Sequence, residues 1–185
     1  MKSSWVILAG IGLLAGRADD SRASNFGYEW GGDGCMPSMT DILNYTFIQD
    51  DGEIRHNAAP GVVVTLHCPV TRQFLDYPPN YWTPNYIQLS YADSSHDPNT
   101  NVTATLVQMS LADGTVKAIA GTSSDKLSCD VGYPNDCQDG KHHMMYDAIG
   151  KHMDMLANIY YVEVKISRAS WLDTATFAGV QLMSR

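Results

Sequence analysis

Val62-Val63-Val64-Thr65-Leu66-His67-Cys68-Pro69-Val70 is the stretch that decides the fold. Val62, Val64, Leu66, Cys68 and Val70 fall on one side, with Val63, Thr65 and His67 opposite, the period-two pattern of a strand with one face on a core. Pro69 lacks a backbone donor but stands near the end, where an edge or exit tolerates it. Working outward, Ile87, Leu89 and Tyr91 alternate with Gln88 and Ser90. Tyr160, Val162, Val164 and Ile166 alternate with Tyr161, Glu163, Lys165 and Ser167. Val102–Met109 and Val116–Ala120 flank Asp113-Gly114, a hairpin signal because both turn residues tolerate positive φ.

The remaining elements read less sharply. Ile42–Ile48 is apolar enough for a first strand, closed by the turn signal Asp50-Asp51-Gly52. Ser24–Thr40 is Gly-rich and reads as an irregular lead-in tied down at Cys35. Met145, Ile149, Met153 and Leu156 fit helical spacing, but Gly150 opposes a helix, so Met144–Ile149 is read as a strand followed by a loop. Ala178, Val180 and Leu182 form a closing strand. About eight strands with turn signals between them predict an all-β, two-sheet antiparallel β-sandwich of jelly-roll or Ig-like type.

The N-terminus carries an export signature. Lys2 precedes the apolar run Trp5–Gly16, and Ala18 and Ala23 follow plausible cleavage patterns. A run this short falls below the ~20 residues of a membrane span and reads as a secretory signal peptide over residues 1–23. Arg17 occupies the place where a lipoprotein box would need cysteine, so a secreted or periplasmic product is expected rather than a lipid-anchored one. Residues 24–185 then form a single domain. The formal charge is −8, with no basic cluster, which argues against nucleic-acid partners. No second apolar run is long enough for a membrane span. Glu occurs only at 29, 53 and 163; the remaining acids are Asp, which favours turns over helices.

Cys35-Met36-Pro37, Cys68-Pro69-Val70-Thr71-Arg72, the alternating strand at 160–167 and Ala178-Gly179-Val180-Gln181-Leu182 resemble a loose group of exported bacterial β-sandwich proteins of unknown function carrying a Cys-Pro-Val strand motif. The resemblance implies export and a sandwich fold. It brings no catalytic residues with it.

Four cysteines permit three pairings. Cys129 and Cys137 bracket the turn Val131–Asp136 and meet easily across it, which leaves Cys35 to pair with Cys68. Closing 33 residues contributes roughly 3.7 kcal/mol in the loop-entropy model, and closing eight roughly 2.5. A zinc site is the alternative, but no C-x-x-C pair supports it and export favours oxidation. His142, His143 and His152 are metal-capable, yet neighbours on a strand point to opposite faces.

Asp93, Asp97, Asn99 and Asn101 form a loop rich in hard oxygen donors, a candidate calcium site that lacks the glycine and bidentate Glu of an EF-hand. No other cofactor is indicated. Tyr77, Tyr81, Trp82 and Tyr86, interleaved with prolines, suit stacking on a sugar or a partner protein, and Trp171 is a further candidate. No G-x-S-x-G, H-E-x-x-H or phosphate-binding glycine loop occurs. The sequence therefore predicts a non-catalytic exported binding or assembly module. A glycan-binding module, a glycan-active enzyme and a fibre subunit growing by strand addition stand as alternatives. Partners are a protein or a glycan, and no oligomeric state is read from the chain.

Overall fold

The computed structural model describes residues 27–70, 81–82, 84–95, 97–126, 142–149 and 153–183. The expected signal peptide, the Cys129–Cys137 bridge, Tyr77 and His152 lie outside them. The described chain is an antiparallel two-sheet sandwich built from β1 Gly27–Gly31, β2 Met36–Pro37, α1 Met39–Asn44, β3 Phe47–Asp50, β4 Glu53–His56, β5 Val64–Val70, β6 Tyr81–Trp82, β7 Tyr86–Asp93, β8 Asn101–Ser110, β9 Val116–Ser123, β10 His142–Ala148, β11 Met153–Asp154, β12 Asn158–Ser167 and β13 Ala175–Met183.

One sheet runs β2-β5-β12-β8-β9. The other runs β10-β7-β13-β4-β3, with β1 also on β13. Strand β12 is central in the first sheet: Val162 lies opposite Cys68 on one side and Leu106 on the other. Val64, Leu66, Cys68, Ala104, Leu106, Val162, Val164 and Ile166 point inward and meet Ile54, Ile87, Leu89, Phe177, Val180 and Leu182 of the second sheet. Period-two alternation thus places every second residue of β5, of Val102–Leu106 and of Tyr160–Ile166 in the core, as their sequences require. Tyr160 is also buried, and its hydroxyl accepts from the Asp154 backbone N–H at 2.9 Å.

Four local readings are corrected. Residues 42–48 are not one strand: Met39–Asn44 is a helix capped by Ser38, whose hydroxyl accepts from the Asp41 N–H, and only Phe47–Asp50 is extended. Ser38 caps this helix, and the Asp41 carboxylate fixes it by accepting from Ser38, Thr46 and the Thr65 N–H, which together outweigh the apolar composition that follows. The Gly-rich lead-in is not irregular, because Gly27–Gly31 pairs with Gly179–Met183 as an added strand. Ala178 does not share the inward register of Val180 and Leu182; the β13–β7 register shifts between Phe177 and Gly179, so Phe177 points inward instead. The bulge falls where the other edge of β13 exchanges β4 for β1, a common place for an extra residue. At the β8–β9 connection only Gly114 takes positive φ, at 71°, and the loop closes through Gly114 N–H to Ser110 O. It is therefore wider than a two-residue turn. By contrast, Asp51 (φ 47°) and Gly52 (φ 80°) both take positive φ between β3 and β4, as a tight twisted hairpin needs.

Two covalent or close-packed points hold the N-terminal segment. Cys35 is bonded to Cys68 with the Cα atoms 4.2 Å apart, and both are buried. Gly32 donates to Gly52 O; a Cβ at Gly32 would sit 2.6 Å from that oxygen and 2.9 Å from Ile54 Cγ1. Replacing Cys35 and Cys68 together by Ser should lower unfolding free energy by about 2–5 kcal/mol in urea titration. Gly32→Ala should cost about 1–3 kcal/mol through overpacking, with no change in secondary structure by circular dichroism.

Candidate binding face

The same alternation that buries one side of β12 projects Tyr161, Glu163, Lys165 and Ser167 outward. Register assembles these with the outward residues of the flanking strands. Glu163 lies between His67 of β5 and Thr105 of β8, and Lys165 between Thr65 and Thr103. Gly121 and Ser123 of β9 extend those two rows, and Met36 of β2 extends the first at its other end. The result is a platform five strands wide.

At its centre, Lys165 Nζ lies 2.7 Å from Glu163 Oε1, and His67 Nε2 lies 3.8 Å from Glu163 Oε2. The side chains remain open to solvent: His67 43 %, Lys165 50 % and Glu163 25 % exposed. Exposed pairs of this kind contribute only about 0–1 kcal/mol to stability, so their effect is to orient rather than to hold the fold. The His67 imidazole meets the Tyr161 ring edge-on, with centroids 5.4 Å apart and planes at 64°. A half-buried aromatic ring therefore stands beside a carboxylate, an ammonium and an imidazole, with threonine hydroxyls around them. Such a surface offers apolar area for stacking and both donors and acceptors for hydroxyl groups. The sequence flagged the alternation here without marking these residues as a site, because their convergence requires three strands in register.

The residues singled out from sequence are dispersed. Tyr81 and Trp82 form a short pair with Asp154 and Met153. Tyr86 begins β7 opposite Met183 and Ala148. Trp171 precedes β13 and belongs to the opposite end, where Ala175 pairs with Asp93. The length of β7 alone, about 23 Å, separates the two ends. Trp171 is 67 % exposed, with the Arg168 guanidinium 4.6 Å above its ring. Arg168 is itself anchored to Ala58 O through Nε and Nη2. His142 and His143 are successive positions of β10 opposite Ala92 and Tyr91.

In the candidate calcium loop the oxygens serve the protein's own donors. Asp97 Oδ1 accepts from the Asn99 backbone and side-chain N–H groups at 2.9 and 2.8 Å. Asn101 donates to Pro98 O and Asp125 and accepts from Ser167. Asp93 is buried and accepts from the Ser95 N–H at 3.0 Å and the Ser124 hydroxyl at 2.8 Å. Among the described residues, no group of three His, Cys, Asp or Glu stands close enough to hold a metal ion.

No protein-family model matches the chain, and no curated protein sequence does. Solved structures align with it at low similarity. A xylan-binding module, CBM15, has 14% identity across 86% of this chain and 97% of that one, with a TM-score of 0.48. A low-affinity xylan-binding module, CBM86, from Roseburia intestinalis has 10% identity across 86% and 96%, at 0.40. A family 11 carbohydrate-binding module from Clostridium thermocellum has 10% identity across 90% and 92%, at 0.35. Likenesses this distant carry no site residue or ligand across to this chain.

Asp93 yields a prediction. Burial raises its carboxyl to about 6; the hydrogen bonds from Ser95 and Ser124 oppose that shift, while Asp125 and Asp173 add to it. The folded state therefore binds this proton more tightly than the unfolded chain, whose Asp titrates near 3.9. The associated stability is fully present below about pH 4 and is lost as pH rises through 6. His56 titrates with the opposite sign, since burial lowers its pKa, so the comparison needs a variant. Between pH 4 and pH 7, urea unfolding of the parent should lose about 1–3 kcal/mol relative to Asp93→Asn.

Proposed function

We propose that this chain is an exported, non-catalytic binding module that takes a neutral glycan on the outward face of the β2-β5-β12-β8-β9 sheet. The observation that carries the reading is the Tyr161–His67–Glu163–Lys165 arrangement: a partly exposed aromatic ring beside paired charges on a rigid sheet. A sugar ring stacks its apolar C–H face on an aromatic side chain while its hydroxyls need both donors and acceptors, and this face supplies each. The supporting strands are disulfide-stapled and fully cored, so little ordering cost attends binding. Export is supported by the Lys2 and Trp5–Gly16 pattern together with the Cys35–Cys68 bond, which suits an oxidising compartment.

Fibre growth by strand addition is the less favoured reading. The edge strand β9 carries Lys117, and Ile119 is left over between the pairs Leu106–Ala120 and Val107–Ala118. A lysine and a bulge both oppose edge-to-edge pairing.

Affinity electrophoresis through soluble xylan, mannan and mixed-linkage glucan, with pull-down on insoluble cellulose, tests the proposal. Retardation by at least one polysaccharide is expected. Tyr161→Ala should weaken it about 5–20-fold, equivalent to about 1–2 kcal/mol, and Glu163→Gln by a smaller factor. Incubation should release no reducing sugar. Binding that survives both substitutions, or turnover of any of the polysaccharides, would contradict the assignment.

A further inference from the structure

A second surface lies on the N-terminal side of the sandwich, and its helix is inside-out. In α1 the carboxylate faces inward: Asp41 is buried, with Oδ1 accepting from Thr46 Oγ1 at 2.7 Å and Oδ2 accepting from Ser38 Oγ and from the Thr65 backbone N–H of β5 at 3.0 Å. The apolar residues face outward: Met39 and Leu43 are each 69% exposed and Ile42 is 45% exposed. Met39 and Leu43 are four apart and so share one side of the helix. None of the three belongs to the core cluster. Tyr45 follows, 81 % exposed, in a left-handed conformation at φ 51° that glycine or asparagine would adopt at less cost. Hydrophobic side chains concentrated outside the core, rimmed by polar groups, mark interaction surfaces.

Charge borders this surface on one side. Ile48, also exposed, lines a shallow cleft of about 210 Å³ together with Asp50, Asp51, Glu53 and Arg55. Three carboxylates against one guanidinium leave the cleft negative. Tyr45 sits at the open end of the β3–β4 pair, where Asn57 donates to Thr46 O and Tyr45 O. Asp50 and Asp51 stand at the turn end of the same hairpin, about 15 Å away along the strand. Apolar contacts and negative charge are thus spaced by roughly two to three helical turns.

We infer that this surface docks a basic amphipathic segment of another protein, with apolar residues on Met39, Leu43, Tyr45 and Ile48 and a lysine or arginine in the Asp50–Glu53 cleft. Charge selects this occupant. A second copy would bring the same negative cleft, on a chain of formal charge −8, and an anionic lipid leaflet would be repelled for the same reason. The surface adjoins the edge of the sheet face proposed to take a glycan but uses none of the residues named there, and the inference does not depend on that reading.

The test uses a fluorescein-labelled 18-residue peptide of leucine and lysine in a helical repeat, read by anisotropy. Two controls replace all lysines by glutamate, or all leucines by serine. The parent should bind the Leu/Lys peptide at least tenfold more tightly than either control, and added salt should weaken it. Leu43→Ser should cost at least tenfold and Glu53→Gln severalfold, while Leu43→Ser leaves the melting temperature and polysaccharide retardation unchanged. Equal binding of the glutamate peptide, or an undiminished affinity in a folded Leu43→Ser, would overturn the inference. So would a concentration-dependent dimer in sedimentation that Leu43→Ser abolishes, since a second copy would then be the occupant.

Discussion

Alternation along a central strand is the constraint from which the rest of the structure follows. Strand β12 has neighbours on both sides, so its backbone is paired throughout and its side chains have only two destinations. Tyr160, Val162, Val164 and Ile166 enter the core, which commits Tyr161, Glu163 and Lys165 to the outside. A one-residue slip would exchange the two sets and place a carboxylate and an ammonium among valines, at several kcal/mol per unpaired charge. Register and outer-face chemistry are therefore the same decision. The charged face is stable because the apolar face cannot be anywhere else.

Polar interactions act where the sheets end. Asp41 fastens α1 across the edge of β5 by taking the Thr65 N–H that a longer strand would have paired. Toward the same end of the sheet, Asp93, Ser124, Thr100 and Asp173 join the loops after β7, β9 and β12: Ser124 donates to Asp93, and Thr100 donates to Asp173 while accepting from the Ala169 N–H. Loops that satisfy one another in this way need little apolar burial. Within the oxygen-rich stretch, Asp93, Asp97 and Asn101 bond to donors and acceptors of the loops themselves.

A difference in rigidity separates the two surfaces. The sheet face rests on fully paired strands above a buried core. The α1 surface rests on a six-residue helix held mainly by the Asp41 carboxylate with its three donors and by the Ser38 cap. The first suits a ligand that needs fixed geometry. The second suits a partner that supplies its own order.

By itself the sequence determined the architecture, because period two in 64–70, 86–93, 101–110 and 158–167 leaves no other way to hide the apolar half of each strand. The expected pairing of Cys35 with Cys68 is the bond the structure holds. Local signals sufficed for the turn at Asp50-Asp51-Gly52, and the structure makes it the hairpin between β3 and β4. Tertiary structure decided what depends on partners distant in sequence. Helix α1 replaced an expected strand because Asp41 finds Thr65, 24 residues away. The lead-in became β1 because β13 had an open edge beyond its bulge. His67 and Glu163, 96 positions apart, meet only because β5 and β12 are adjacent and in register. Composition drew attention to an aromatic loop and an acidic loop, whereas the arrangement of Tyr161, His67, Glu163 and Lys165 exists only across strands, where single-chain periodicity has no reach.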